Sequence, residues 1–483
     1  MRISFFILFL LTSIAAHGQV IFQRSYLPDS TADKLEGTAL VKNYDGRYFI
    51  SGNIFSLPPT LMPRNATLHR LDSLGQMIDS RVYYSPSALS GYGNHIEKAD
   101  INNFIITGGQ TFPTGLQYPY YAGFLMKIDS SGAILWNRVL YDSSFHTNTT
   151  LFKTIAAGNY FYSFGNTNVN RNVIGNWYND TTYMGLITKT DQNGNLIWAK
   201  NYYNRTIRFK DFALSPDSGL FVVADRIVFD SLGSSDVFGL FIRLDTSGTV
   251  QWTQEWDYVI GGTLNTALND GSGFLIGALD AVIGWSNGII IKLDYSGNFL
   301  WAKKYGIAGG DYQVSLLTLL DNQKIAFSNW GLTFHVFDPF ANIIYYRSLL
   351  FTNFPQGIVN DIQPESDFGL SGIGHRGHAL YIFKSDSNFF SCGYTGSILP
   401  ANSLITFYPV SLNVSPLNID YSSFGFVSSL FNTTDSLHCF TSTSVLQSET
   451  NSLFEVYPTL INDGIININF IFPFQSDFKI IMY

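Results

Sequence analysis

The sequence predicts an all-β fold, a seven-bladed β-propeller of four-stranded antiparallel blades closed by an N-terminal strand, and three observations lead there. A short unit centred on Asp recurs at Asp72, Asp129, Asp191, Asp245, Asp294, Asp338 and, in weaker form, Asp386, with spacings of 57, 62, 54, 49, 44 and 48 residues. A period of that length marks an array of supersecondary units. Between successive landmarks lie four short apolar runs punctuated by turn residues, the pattern of a four-stranded sheet. The composition agrees, since only 13% of residues are charged while 16% are aromatic, with 41 Phe, 28 Tyr and 42 Gly. Such a mixture favours strands and turns over helices.

Each element of the unit has a physical reason. In four copies the Asp is followed by two residues and then Gly, at Asp129 and Gly132, Asp191 and Gly194, Asp245 and Gly248, and Asp294 and Gly297. An Asp carboxylate at the head of a turn accepts backbone N–H groups further along, and Gly supplies the positive φ needed to re-enter a strand. The unit therefore predicts a hairpin between the third and fourth strands of each blade. In the strand that follows, Trp136, Trp198, Trp252 and Trp301 stand seven positions after the Asp and share a face with the cationic stems of Arg138, Lys200 and Lys303. Full burial of each Trp is expected to stabilise by roughly 3 kcal/mol.

The sixth unit illustrates the four runs, at residues 314–319, 324–328, 332–337 and 342–349. The seventh lacks a Trp strand after Asp386. Residues 20–26, Val-Ile-Phe-Gln-Arg-Ser-Tyr, match 196–202, Leu-Ile-Trp-Ala-Lys-Asn-Tyr, without a preceding turn. The N-terminal strand is thus expected to complete the last blade and leave no open edge.

The predicted organisation is a signal peptide at 1–18, the propeller at 19–388, a linker or small β add-on at 389–450, and a truncated C-terminal sorting domain at 451–483. The first segment has Arg2, an apolar run of about 12 residues and small residues before the expected cut, too short for the roughly 20 residues of a membrane span. Export is expected, with no membrane span in the mature chain. The two cysteines, Cys392 and Cys439, follow the repeats, and an exported chain allows a disulfide between them. With 28 basic and 36 acidic residues the net charge is −8 and no basic block occurs, which disfavours nucleic acid as a partner.

Motifs of chemistry are sparse. The close histidine pair, His375 and His378, is read as a loop pair without a third metal ligand, and the Asp turns lack the oxygen pattern of a calcium loop. No nucleophile elbow, zinc-helix or phosphate-loop motif is present. No catalytic, metal or cofactor-binding residue is predicted. The aromatic stretches at 112–121 and 177–178 occupy long inter-strand segments where a sugar or protein ligand could stack. The expected function is a non-catalytic scaffold binding a protein or glycan. The alternative is a hydrolase or lyase acting on a polysaccharide, its residues converging from several blades on the central channel.

The unit at 293–301, Leu-Asp-Tyr-Ser-Gly-Asn-Phe-Leu-Trp, resembles the tryptophan-docking repeat of quinoprotein-type propellers, in which the residue matching Trp301 packs on the next blade. The adjacent Cys pair of the quinone-binding members is missing, so the resemblance implies no cofactor. The order of signal peptide, Asp-x-x-Gly-x-x-x-Trp repeats, Cys and a terminal Phe454-Glu-Val-Tyr-Pro458 is similar to that of Bacteroidetes surface and secreted proteins with a type A sorting domain of the type IX secretion system. That resemblance implies the type IX machinery as a partner. It places the protein at the cell surface or in the medium if the sorting domain works, and in the periplasm otherwise.

Overall fold

The computed structural model describes residues 19–386, apart from the connections 29–33, 56–63, 114–119, 142–146, 170–182, 205, 230–234, 258–262, 283–284, 306–313, 321–323, 329–332, 340–341, 349–356 and 368, together with the backbone of seven strands between 394 and 443. Seven antiparallel sheets form the blades of a ring. Blades 1 to 6 occupy residues 34–84, 90–141, 147–203, 206–257, 263–305 and 316–348. Blade 7 takes three strands from residues 357–384, and its fourth is the N-terminal strand Gln19–Pro28, which pairs antiparallel with Ala379–Lys384 from Phe22 opposite Lys384 to Tyr26 opposite Leu380. The ring therefore closes as the sequence leads one to expect.

The repeated turns explain how one blade seats on the next. Asp129, Asp191, Asp245 and Asp294 each accept, through Oδ1, the N–H groups two and four residues on, at 2.8–3.0 Å. The following Gly132, Gly194, Gly248 and Gly297 have φ between 75° and 86°. Burial alone would raise these carboxyls, but the hydrogen bonds outweigh it and hold all four below the usual carboxylate range.

The glycines have a second role, because each lies under a side chain of the preceding blade. A Cβ on Gly194 would sit 2.8 Å from Trp136, one on Gly248 2.8 Å from Trp198, and one on Gly297 2.9 Å from Trp252. Blade 1 carries Asp79 at the Trp position, and the stem of Arg81 covers Gly132 instead. At the closure Phe22 takes the Trp place over Gly75. The Tyr four residues later completes the joint: Tyr83 donates to the Gly132 carbonyl and Tyr202 to that of Gly248, at 2.8 and 2.7 Å, and Tyr26 donates to that of Gly75. The Trp side chains are half-buried, not fully buried, because the fourth strand lies near the outer rim of its sheet. The figure expected from full burial is therefore an upper bound.

One departure from the sequence reading is large. Each four-stranded blade carries a fifth strand on its outer edge, and all seven come from the segment read as a linker or small β add-on. Tyr394–Thr395 lies on blade 6, Ala401–Asn402 on blade 5, Phe407–Tyr408 on blade 4, Asn413–Pro416 on blade 3, Asp420–Ser422 on blade 2 and Val427–Phe431 on blade 1. Thr433–Thr443 then runs along the N-terminal strand from Pro28 to Gln19. The segment circles the ring backwards as a belt. Its strands of two to five residues on blades 6 to 1 are too short to show a period, yet they pair the outer edges that an open sheet would leave exposed.

Candidate functional site

The innermost strands surround the ring axis, and in six blades that strand carries a β-bulge, with register shifts at 37/39, 93/95, 151/153, 209/211, 264/266 and 359/361. A bulge withdraws backbone groups from the ladder, and buried backbone groups need partners. The preceding blade supplies them. Asn53 accepts the Gly93 N–H and Asn166 that of Phe209, both at 2.9 Å, while Asp225 accepts that of Leu264 at 3.2 Å. Carbonyls are met in the same way: Asn94 donates to Leu151 at 2.7 Å, Asn265 to Val314 at 3.0 Å and Asn360 to Gly37 at 2.6 Å. Asp211 holds the Ala267 amide at 2.9 Å and the Lys153 ammonium at 2.7 Å, and Asp361 holds the Leu40 amide at 2.8 Å. Three carboxylates near the axis are thus committed to fastening one blade to another.

Glu97 differs. Its hydrogen bond is to the adjacent Lys98 amide at 3.1 Å. Burial pushes its carboxyl up to about 7, against the pull of that amide and of Lys153, with Asp361 adding to the rise. Asp361 is itself raised by burial to about 6. Because the folded pKa of Glu97 lies above its unfolded value, the folded state binds the extra proton, so stability falls as pH climbs from about 4.5 to about 7 and then levels. Glu97→Gln is expected to match the parent's melting temperature at pH 4 and exceed it at pH 8. A constant difference across that range would show that Glu97 is not the group responsible. Among the described residues no group of three or more His, Cys, Asp or Glu side chains is placed to hold a metal ion.

The two faces of the ring are unlike. One bears the short Asp turns and the first-to-second-strand turns. There a cation two residues before the landmark Asp is tied to the adjacent turn: Lys127 to Asp100 at 3.3 Å, Lys384 to Asp367 at 2.9 Å, and Arg243 to Asp217 and Lys292 to Asp270 in close contact. Lys or Arg stands at that position in six of the seven units, a signal that can be read in the sequence itself. The predicted residues Asp129, Gly132, Trp136, Asp191, Gly194, Trp198, Asp245, Gly248, Trp252, Asp294, Gly297 and Trp301 all belong to this face and its inter-blade joints; among the described residues, they converge on no site.

On the opposite face lie the ends of the second strands, the starts of the third, and the strand ends that lead from one blade to the next, among them Phe112, Tyr120, Val169 and Met184. Strand ends on this face assemble a polar and aromatic patch across blades 7, 1, 2 and 3. Glu36 is approached by Lys34, by Arg64 at 3.6 Å and by His375 at 3.8 Å. The Arg64 guanidinium lies 4.8 Å from the Phe55 ring and 5.0 Å from that of Tyr92, whose hydroxyl is 3.3 Å from Thr150. Beyond it, the Tyr121 amide donates to Asn148 at 3.1 Å and its side chain is 38% exposed. His375 stands in a strand and His378 in the turn after it, so the pair read from sequence as a loop pair is split between two settings. Of the aromatic stretches singled out earlier, Tyr120 is buried, Tyr121 is exposed, and 177–178 lie outside the described residues. Cys392 and the side chain of Cys439 also lie outside them, and so does the expected disulfide.

Comparison with known proteins adds no family: no protein-family model and no curated protein matches the chain. Among solved structures it is similar to the propeller of Dos1, at 11% identity and TM-score 0.44 over 75% of this chain and 95% of that one. It is also similar to Raptor of Chaetomium thermophilum, at 10% identity and TM-score 0.43 over 75% of this chain and 30% of that one. Bacillus subtilis levansucrase follows at 9% identity and TM-score 0.31, over 58% and 86% of the two chains. Likeness at this level carries no functional argument, and the propeller assignment rests on the sheet order itself. No helix among the described residues is long and apolar enough to cross a membrane.

Proposed function

We propose that this protein is an exported, non-catalytic β-propeller scaffold that holds a protein or glycan ligand on the face opposite its repeated turns. The observation that supports this most directly is the division of labour between the faces. The repeat-bearing face is occupied by inter-blade joints, whereas strand ends on the other form the Arg64, Tyr92 and Tyr121 patch. Ligand-binding loops on a rigid scaffold commonly divide in this way. The commitment of Asp211, Asp225 and Asp361 to neighbouring amides supports a structural part for the axial carboxylates. Export rests on the 1–18 segment, and delivery by the type IX system on the resemblance of the terminal segment.

The test is a glycan array combined with a broad screen for polysaccharide hydrolysis and elimination, using the mature chain. Binding without product release is the expected result. Release of oligosaccharides that stops in Glu97→Gln would overturn it in favour of an axial enzyme, the one reading for which the raised carboxyl of Glu97 speaks. Fractionation of a host with an intact type IX system tests both steps, since retention in the cytoplasm would defeat export and retention in the periplasm would defeat delivery by that system.

A further inference from the structure

We infer that the patch around Arg64 is a subsite for a carboxylate-bearing sugar, so that the ligand is a glycan containing uronic acid. This rests on the scaffold reading and specifies its ligand. Arg64 is held by stacking between Phe55 and Tyr92, which fixes the plane of its guanidinium and leaves the edge to form hydrogen bonds. Among the described residues its ion pair is from Nη2 to the Glu36 carboxylate at 3.6 Å, long for a hydrogen bond. The fork is therefore ordered but under-used. Lys34 and Arg64 share the single carboxylate of Glu36, so the patch is cationic on a chain whose net charge is −8. An anion is favoured here. A planar fork engages a carboxylate through two parallel bonds.

The surroundings separate a sugar from an acidic peptide. A peptide rich in Asp or Glu calls for a row of cations. On the Tyr92 side of Arg64 the groups are neutral: Tyr92 with Thr150, and then Asn148, which accepts the Tyr121 amide. Hydroxyl and amide groups beside an exposed tyrosine ring match a ligand with few carboxylates, many hydroxyls and an apolar C–H face.

The experiment is calorimetric titration of the mature full chain with an oligouronate, with the same oligosaccharide after its carboxyls are reduced to primary alcohols, and with polyglutamate. Binding to the oligouronate is expected to exceed that of the reduced form by roughly 10- to 100-fold, the worth of a charge-assisted pair. Arg64→Ala should abolish that difference, and Arg64→Lys should not restore it, because a point charge lacks the fork. Tyr121→Ala, at an exposed position, should weaken both sugars without changing thermal unfolding. Equal binding of the reduced sugar would overturn the inference while leaving a glycan-binding scaffold standing. Polyglutamate binding as tightly would overturn it in favour of an acidic peptide. Failure of every glycan to bind would remove the inference and the glycan half of the proposed function together, with the protein-binding half to be judged separately by pull-down.

Discussion

A chain beginning at residue 27, which lacks most of the N-terminal strand, is expected to lose the larger part of its folding stability. The strand is paired on both sides, with Ala379–Lys384 within the blade and with Thr433–Thr443 outside it. Its removal exposes two edges at once. It also takes out Ile21, Phe22 and Tyr26, each at most 1% exposed. At about 1.5–3 kcal/mol for each side chain the loss is roughly 5–9 kcal/mol. That is comparable with the whole stability of an ordinary domain, about 5–15 kcal/mol. Phe22 and Tyr26 are also the docking pair that seats blade 7 on Gly75 of blade 1, so the ring is left open at that joint. Thermal unfolding followed by circular dichroism, with size-exclusion chromatography to detect edge-to-edge association, checks this. An unchanged melting temperature would sink the velcro-like account of closure. Double substitution Phe22→Ala and Tyr26→Phe separates side-chain docking from strand pairing, and should give an intermediate loss.

The second large effect is expected at the docking glycines. Gly248 and Gly271 share a left-handed φ, 76° and 85°. They differ in what lies above them. A Cβ on Gly248 would meet Trp198 and the Tyr202 hydroxyl at 2.8 Å, whereas one on Gly271 has nothing within 4 Å. Gly271→Ala should therefore cost only the left-handed penalty, about 1–2 kcal/mol. Gly248→Ala should cost that plus overpacking at the joint, about 1–3 kcal/mol more, and should weaken the hydrogen bond from Tyr202 to the Gly248 carbonyl. Chemical denaturation of the two variants gives the difference. Equal losses would mean that the turn requires Gly for its conformation alone and that the blades do not press on it.

These two predictions also show which parts of the molecule could be read in advance. An Asx turn is made by residues within a span of five, so Asp and Gly at fixed spacing report it wherever it occurs, and the joint repeats because the turn repeats. The strand completing blade 7 was legible for the same reason: Phe22 and Tyr26 fall at the positions of Trp198 and Tyr202, and the structure puts them to the same use. The belt was not. Strands such as Tyr394–Thr395 and Ala401–Asn402 are too short for alternation to declare itself, and they exist because the blades offer edges to pair with.

The period, the turn chemistry, the count of blades and the strand that closes the ring are all written in short local patterns of residues. How the blades are fastened at the axis follows only from the folded ring. Asn360 reaches Gly37, and Asp361 reaches Leu40, across more than 320 positions of chain. Glu36, Arg64, Tyr92 and His375 come from four different strands of three blades. No spacing links such residues, because their proximity arises only when the first and last blades meet. The repeat is conspicuous because every joint between blades imposes nearly the same packing constraint, while the candidate site is irregular because a ligand's recognition requires no repetition.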